Sequence, residues 1–124
     1  LNLWASWCPP CLKEMDSFRV LRDSLDAHGL STDAVDLMLV TPESARRVSR
    51  FVARRLPDMP VFVEHDPLPP QLGVRAVPTT WILDREGRVA FAHRGAADWS
   101  APEVRELLRV LAADNGVVAS GRVP

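Results

Sequence analysis

The two cysteines of this chain lie three positions apart, in the segment Trp7-Cys8-Pro9-Pro10-Cys11, directly after an apolar stretch. Because the chain has no third cysteine, any disulfide within it closes the small ring between Cys8 and Cys11. So small a ring removes little freedom from the unfolded chain, and fold stability is therefore a poor reason for having it. The spacing predicts that the pair is kept for its reactivity.

The apolar pattern predicts strands that alternate with helices. One helix follows Cys8, with two prolines in its first turn and Gly29 as its C-cap. A second helix has Thr41 as its predicted N-cap, and a third has Ser100. The predicted strands are residues 1–5, 34–40, 60–64, 79–83 and 88–93, and a loop with one helical turn is predicted at 66–73.

This order of elements, with a β-hairpin at 79–93, predicts an α/β fold: a central mixed β-sheet flanked by helices on both faces. All 124 residues fit a single domain, 1–124, in which we expect the tail 117–124 to be frayed. Residues 1–5 have the apolar pattern of a buried strand, and no methionine or polar segment precedes them. We therefore expect that an N-terminal part of the protein is missing from this chain.

The net charge and the hydropathy of the chain bear on whether it binds nucleic acid or spans a membrane. The net charge of -1 gives no electrostatic footprint for nucleic acid or an anionic membrane. The pairs Arg46-Arg47 and Arg54-Arg55 are interpreted as the solvated face of a helix. No run of about 18 apolar residues is present, so no membrane span is predicted. There is no signal peptide, but with an upstream segment expected this does not argue for the cytoplasm.

A cysteine attacks as its thiolate, so the chemistry depends on what stabilises that charge. At the start of a helix, Cys8 would face the positive end of the helix dipole. Cys11 would lie one turn further on, partly shielded and suited to resolve a mixed disulfide formed by Cys8. These positions favour a reversible redox couple that needs no cofactor beyond the cysteines themselves.

Other uses of a cysteine pair fit the sequence less well. A zinc site needs about four ligands, and the three histidines lie on different predicted elements, so no metal site is predicted. Haem attachment requires a histidine directly after the second cysteine, where this chain has Leu12. An inert buried pair is the remaining alternative.

Two segments resemble the thioredoxin superfamily. Residues 3–11 (LWASWCPPC) resemble its active-site segment, and the two prolines and residues 12–15 (LKEM) resemble its TlpA/ResA-like branch. Residues 73–88 (GVRAVPTTWILDREGR) resemble that branch's segment around a cis-proline and the following hairpin. Residues 42–64 resemble its helix–strand insertion. The resemblance implies a thioredoxin-like fold and a thiol–disulfide oxidoreductase.

The resemblance also assigns roles to individual residues. Cys8 matches the attacking cysteine and Cys11 the resolving one. Pro78 matches the cis-proline that packs beside the pair, and the backbone of Val77 would pair with a bound substrate strand. An ordinary trans proline that opens a strand is the alternative for Pro78.

The remaining substrate-binding assignments concern the rim of the site. Trp7 and Pro9 are assigned to the binding surface beside Cys8, whereas Trp4 is assigned to the core. Gly95 matches a loop that completes the groove, with a plain turn as its alternative.

Asn2 stands where plain thioredoxin has a buried aspartate that assists proton transfer, and asparagine cannot titrate. The TlpA/ResA-like branch instead often has a glutamate three residues after the second cysteine, matched by Glu14. Glu14 is therefore either a partly buried carboxylate that relays the proton of Cys11 or a solvated helix residue.

The two prolines of the motif bear on the direction of electron flow. Proline has no backbone N–H, so Pro9 and Pro10 remove two donors that could have faced the Cys8 sulfur. Only the N–H of Cys11 remains nearby in sequence. We therefore expect a less stabilised thiolate than in oxidising relatives, a lower reduction potential and a role as reductant.

The leading hypothesis is a disulfide reductase that acts on protein disulfide or dithiol substrates and is itself reduced by an upstream thiol reductant. The resemblance implies a periplasmic or otherwise extracytoplasmic setting, with a membrane tether in the missing N-terminal part. A reductase for cytochrome c maturation is the nearest alternative, but such proteins usually have a Gly-Ala-Pro-Glu type segment where residues 76–79 read AVPT. A copper-binding or delivery module would use Met15, whose helical spacing fits core packing better. A peroxidase would need a cysteine outside the pair.

Overall fold

The computed structural model describes residues 1–30, 34–73 and 76–113. The tail 117–124, for which fraying was predicted, lies outside the described residues. In chain order the elements are β1 Asn2–Leu3, α1 Pro9–Ala27, β2 Leu39–Thr41, α2 Ala45–Arg55, β3 Val61–Val63, a 3-10 helix Pro70–Leu72, β4 Thr79–Leu83, β5 Val89–Arg94 and α3 Pro102–Ala113.

The strands of the described residues form one mixed sheet in the order β3-β2-β1-β4-β5. β1, β2 and β3 run parallel to one another, whereas β4 is antiparallel to both β1 and β5. In the parallel half, α1 joins β1 to β2 and α2 joins β2 to β3. Because the carboxyl ends of parallel strands meet at one edge, the segments that follow β1 and β2 lie at the same edge of the sheet.

Side chains alternate between the two faces of the sheet. On one face Trp4 and Leu39 join a core cluster that includes residues of α1, α2 and α3. On the other face Leu3, Val40 and Trp81 form a second cluster against the 3-10 helix. Helical segments therefore flank both faces, as predicted, but unevenly: three α-helices cover one face and a single helical turn contacts the other.

Helix α1 begins and ends where its sequence signals place it. Cys8 is the N-cap, the two prolines occupy the first helical positions, and the helix stops at a left-handed Gly29 with φ 73°. The N–H of Gly29 donates to the Asp26 carbonyl, and the N–H of Leu30 donates to the Leu25 carbonyl at 2.8 Å. These two bonds form a Schellman motif, which satisfies the last carbonyls of the helix.

The predicted N-cap residues of α2 and α3 were wrong. Thr41 is the last residue of β2, and the N-cap of α2 is Ser44, whose hydroxyl accepts from the Arg47 N–H at 3.3 Å. Ser100 lies two residues before α3, and its hydroxyl and N–H both donate to the Asp98 carboxylate. In both places a second short polar residue competes for the local N–H groups, and sequence alone does not rank the two.

The parallel strands are shorter than predicted. The predicted strand 34–40 is observed only from Leu39 to Thr41, 1–5 only at Asn2–Leu3, and 60–64 at Val61–Val63. Pairing depends on a neighbouring strand as well as on residue type, and β2 is a strand only where β1 and β3 face it. β4 has the predicted bounds, while β5 begins one residue later than predicted and ends at Arg94.

Two further predictions concern the segment 42–64 and the membrane. The helix–strand insertion is present as α2 and β3, with β3 at one border of the sheet. Within the described ranges, no helix combines the length and apolar character needed to cross a membrane.

Candidate active site

The cysteine pair lies at the start of α1. Cys8 is the N-cap of the helix and is 4% exposed, whereas Cys11, one turn further on, is fully buried. A disulfide joins them. The Cys8 sulfur lies at the N-terminus of α1, which is the positive end of the helix dipole. The arrangement places one sulfur nearer the surface for attack and the other behind it.

Cys8 receives one backbone hydrogen bond to its sulfur among the described residues. The N–H of Cys11 donates to Cys8 Sγ at 3.2 Å. The two intervening residues, Pro9 and Pro10, have no N–H to contribute. The next N–H, from Leu12, donates to the Cys8 carbonyl oxygen. The structure therefore shows the single backbone donor to the Cys8 sulfur that the sequence predicts.

Exposed apolar residues surround the pair. The Trp7 side chain is 66% exposed, and Pro9 and Pro10 are exposed as well. Trp4, by contrast, is fully buried in the core cluster, as predicted. An exposed tryptophan beside a reactive cysteine offers a large contact area to a partner chain. The assignment of Trp7 and Pro9 to substrate binding stays a prediction.

Pro78 lies at the same edge of the sheet as Cys8. Leu3 of β1 pairs with Thr79 of β4, so the residue before Thr79 lies beside the segment that leads from β1 to Cys8. The Val77–Pro78 peptide bond is cis, the isomer that the resemblance implies. The Pro78 carbonyl accepts a hydrogen bond from the N–H of Gly95 at 2.8 Å. The structure therefore brings together Val77, Pro78 and Gly95, which the sequence separates by up to eighteen positions.

The Glu14 carboxylate is buried: the residue is 2% exposed. Its oxygens accept hydrogen bonds from Asn2 Nδ2 at 2.9 Å, the Ala97 N–H at 3.1 Å and Trp99 Nε1 at 2.8 Å. Burial raises the pKa of Glu14, and the bonds from Trp99, Ala97 and Asn2 oppose that rise only in part. The alternative of a solvated helix glutamate is therefore wrong.

Asn2 supports Glu14 from the centre of the sheet. The Asn2 side chain is fully buried, and its Nδ2 also donates to Thr80 Oγ1 at 2.9 Å. Glu14 lies three positions after Cys11 on α1, and both residues are buried on the side of the helix that faces the sheet. The non-titrating Asn2 thus holds a titratable carboxylate on the same helix face as Cys11.

Two supporting contacts were missed by the sequence analysis. Glu43, between β2 and α2, is buried and accepts from the Ser6 N–H at 2.8 Å and the Ser6 hydroxyl at 2.7 Å, which ties the segment before Cys8 to the start of α2. Trp99 is held for its bond to Glu14 by stacking on Phe18, with ring centroids 5.6 Å apart. The one available signal was the position of Glu43, two residues after the end of β2.

Features that a metal site would need are not seen in the described ranges. No group of three or more histidine, cysteine, aspartate or glutamate side chains lies together in that part of the chain. Met15, which a copper-binding module would use, is 3% exposed and packs in the core cluster.

Known proteins with similar sequences and structures indicate the family of this chain. The chain is 30% identical over 95 residues to the thioredoxin-like protein YneN of Bacillus subtilis, covering 77% of this chain and 55% of that protein. It is 28% identical over 111 residues to the thiol-disulfide oxidoreductase ResA of Halalkalibacterium halodurans, covering 88% of this chain and 61% of that protein. The chain thus spans little more than half the length of these relatives.

A solved structure shows the same fold. A Chlorobium tepidum chain described as a thiol:disulfide interchange protein, DsbE, superposes with a TM-score of 0.63 and 25% sequence identity, over 89% of this chain and 73% of that one. The family described as Redoxin matches residues 1–111. The chain is therefore a member of the Redoxin family, in the TlpA/ResA-like branch of the thioredoxin superfamily.

Proposed function

We propose that this domain is a thiol–disulfide oxidoreductase that reduces disulfides in protein partners through Cys8 and Cys11. The observation that carries the proposal is the position of the two sulfurs: Cys8 caps α1 beside the exposed Trp7, and the fully buried Cys11 donates its N–H to the Cys8 sulfur. Relatives named thiol-disulfide oxidoreductase match 88% and 72% of this chain.

The reaction moves two electrons in two steps. The Cys8 thiolate attacks one sulfur of the partner disulfide, which forms a mixed disulfide and releases the other partner sulfur as a thiolate that takes up a proton. Cys11 then loses its proton and attacks Cys8, which forms the Cys8–Cys11 disulfide and releases the second partner thiol. The partner is reduced and this domain is oxidised. An upstream thiol reductant must then restore the dithiol.

Glu14 is proposed to take up the proton of Cys11 in the second step. Because the pKa of Glu14 is raised toward neutral pH, its carboxyl group is better suited to accept and then donate a proton. Glu14 also lies on the same face of α1 as Cys11, which suits a transfer between the two side chains. We expect Glu14→Gln to slow the release of the mixed disulfide while leaving the attack by Cys8 nearly unchanged. Stopped-flow measurements of the two phases over a pH range would separate these steps.

The partner strand is proposed to lie along Val77, Pro78 and Gly95. Extended peptides that bind beside a strand edge use backbone hydrogen bonds for affinity. The bond from the Gly95 N–H to the Pro78 carbonyl holds the two loops together, so that a bound strand would meet one continuous rim that ends at Trp7.

The proposed direction of electron flow is reduction of the partner. With one backbone donor to the Cys8 sulfur, the thiolate has less stabilisation than two further N–H groups would give it. A less stabilised dithiol form corresponds to a lower reduction potential. Equilibration with glutathione redox buffers measures this directly, and a potential as oxidising as that of DsbA, about -120 mV, would contradict the proposed direction.

The proposed setting is outside the cytoplasm, with a membrane tether supplied by sequence beyond this chain. This rests on the resemblance to the TlpA/ResA-like branch. Fractionation of cells that produce the full-length protein tests the setting, and recovery in the cytoplasm would contradict it.

Trapping with Cys11→Ser tests the proposed function. Without the resolving thiol, the mixed disulfide on Cys8 persists and its partner can be identified by mass spectrometry. Cys8→Ser is the matched control and should trap nothing. A folded Cys11→Ser protein that captures no partner would contradict the reductase, and capture of an apocytochrome c would assign the narrower role in cytochrome c maturation.

A further inference from the structure

Helix α2 carries a concentrated positive charge. Its eleven residues, ARRVSRFVARR, include five arginines and no acidic residue, in a chain whose net charge is -1. At 3.6 residues per turn, four of them fall within an arc of about 100°. This arginine stripe consists of Arg46, Arg47, Arg50 and Arg54, all exposed. The apolar residues of α2 pack toward the core on the other side, where Val48 is buried.

No ion pair of the described residues uses the arginine stripe. The arginines of the described residues that do form such pairs lie on α1, on α3 and in the β4–β5 turn. The acid nearest in sequence, Glu43, is buried and bonded to Ser6. The stripe therefore faces solvent, and no acidic side chain of the described residues pairs with it.

The stripe also opposes the stability of its own helix. Arg46 and Arg50, and Arg50 and Arg54, are like charges four positions apart, each pair unfavourable by about 0.2–0.5 kcal/mol. Arg46 and Arg47 lie in the first turn, at the positive end of the helix dipole, where cations are disfavoured. Of the four, only Arg54, in the last turn, is favoured by the dipole. Interactions within the helix therefore disfavour the charge at Arg46, Arg47 and Arg50.

The position of the stripe relates it to the redox site. α2 follows β2, which is parallel to β1, so its first turn lies at the edge of the sheet that holds Cys8. The bonds between Glu43 and Ser6 join the start of α2 to the segment that leads to Cys8. From that edge the stripe extends about 12 Å along the helix, at 1.5 Å per residue.

We propose that the arginine stripe docks an acidic surface next to the disulfide of the protein partner. This proposal rests on the proposed function and adds that the protein substrates are negatively charged beside their disulfide. Guanidinium groups bind carboxylates in paired hydrogen bonds, and charges beside a reactive site raise association rates. A protein is favoured over nucleic acid or an anionic membrane because the net charge of -1 gives no long-range attraction to an extended polyanion.

The test compares three cyclic peptides that share one disulfide ring and differ in flanking residues: glutamates, serines or lysines. Second-order rate constants for reduction by the dithiol protein are measured by stopped flow at low and high salt. We expect the acidic peptide to react about tenfold faster than the neutral one at low salt, with the advantage falling toward unity at high salt. The lysine-flanked peptide should be the slowest.

Arg46→Gln/Arg50→Gln/Arg54→Gln should abolish the preference for the acidic peptide while leaving the rate with the neutral peptide within about twofold. Glutamine is a good helix former, so the variant keeps α2. The matched control Arg85→Gln/Arg88→Gln/Arg109→Gln removes the same charge near the opposite edge of the sheet and should keep the preference. Its first two positions follow the end of β4, and the Arg85 guanidinium donates to the Ala112 carbonyl near the end of α3.

The outcomes separate the two proposals. Reduction of all three peptides at equal rates would overturn the docking surface and leave the reductase intact. A preference that the control variant also loses would overturn it too, since net charge alone would then explain the effect. Stripe-dependent binding to anionic vesicles or a single-stranded oligonucleotide, without peptide discrimination, would reassign the surface. Failure to reduce any peptide would contradict the proposed function itself.

Discussion

Replacing Glu14 by glutamine tests whether burial or hydrogen bonding controls this carboxyl group. The three partners of Glu14, namely Asn2, Ala97 and Trp99, all donate hydrogen bonds to it. A glutamine side chain has one acceptor and one donor end, so in either orientation its NH₂ meets at least one of these donors. A protonated glutamate meets the same mismatch through its O–H. Glu14→Gln therefore approximates the protonated form at every pH.

The sign of the pH effect follows from the raised pKa. The Glu14 carboxyl binds its proton more tightly in the folded protein than in the unfolded chain, where the pKa is 4.5. Below 4.5 both states are protonated, and the variant and the wild type should have similar free energies of unfolding. As the pH rises above 4.5 the unfolded chain loses its proton first, so the wild type loses stability by up to about 1.4 kcal/mol per pH unit until the folded pKa is reached. The variant has no such loss.

Urea unfolding of both proteins at a series of pH values measures this difference. We expect Glu14→Gln to become progressively more stable than the wild type as the pH rises through this window. The surface variant Asp26→Asn, on the same helix, is the control and should differ from the wild type by less than about 0.5 kcal/mol. If the wild type instead gains stability over Glu14→Gln above pH 4.5, the three hydrogen bonds outweigh burial, and the case for Glu14 as a proton carrier near neutral pH fails.

Three further predictions concern the frame of the site. Glu43→Ala leaves the Ser6 N–H and hydroxyl without their acceptor and should lower the free energy of unfolding by about 1–3 kcal/mol. Ser6→Ala should lower it by only about 1 kcal/mol. Equal losses in urea unfolding would contradict this. Phe18→Ala removes a buried ring stacked on Trp99 and should cost about 3–5 kcal/mol by the same assay; a loss below 1 kcal/mol would show that the stack is not packed as described. Gly87→Ala places a side chain in open space but at φ 81°, so thermal unfolding should show a loss of about 1–2 kcal/mol from the backbone alone, and no loss would refute the left-handed turn.

The parts of the fold that sequence predicts well are those fixed by neighbouring residues. The bounds of α1 follow from Cys8, the two prolines after it and Gly29, all of which act within one turn. The β4–β5 hairpin likewise follows from two apolar runs around a four-residue turn that ends in Gly87. The placement of Cys8 and Cys11 at the start of α1 belongs to this class, because both lie in one short segment.

The parts that sequence predicts poorly depend on distant contacts. Glu14 is a buried carboxylate because Asn2 and Trp99 reach it from other elements, the latter across 85 positions. On α1 alone its spacing fits a buried or a solvated position equally. The start of α2 was misplaced because Thr41 and Ser44 are both good N-caps, and only the pairing of β2 with β3 assigns Thr41 to the strand.

The bond between Gly95 and Pro78 has a practical consequence for protein engineering. It closes the β4–β5 hairpin at the end that faces the cysteines, so the chain can be interrupted at the other end without touching the chemistry. That end is the exposed turn between Asp84 and Gly87. Insertions are tolerated best at such exposed tips. A fluorescent reporter or an affinity handle placed in this turn would let the redox state and the partners of the protein be followed in living cells, with its native termini left free.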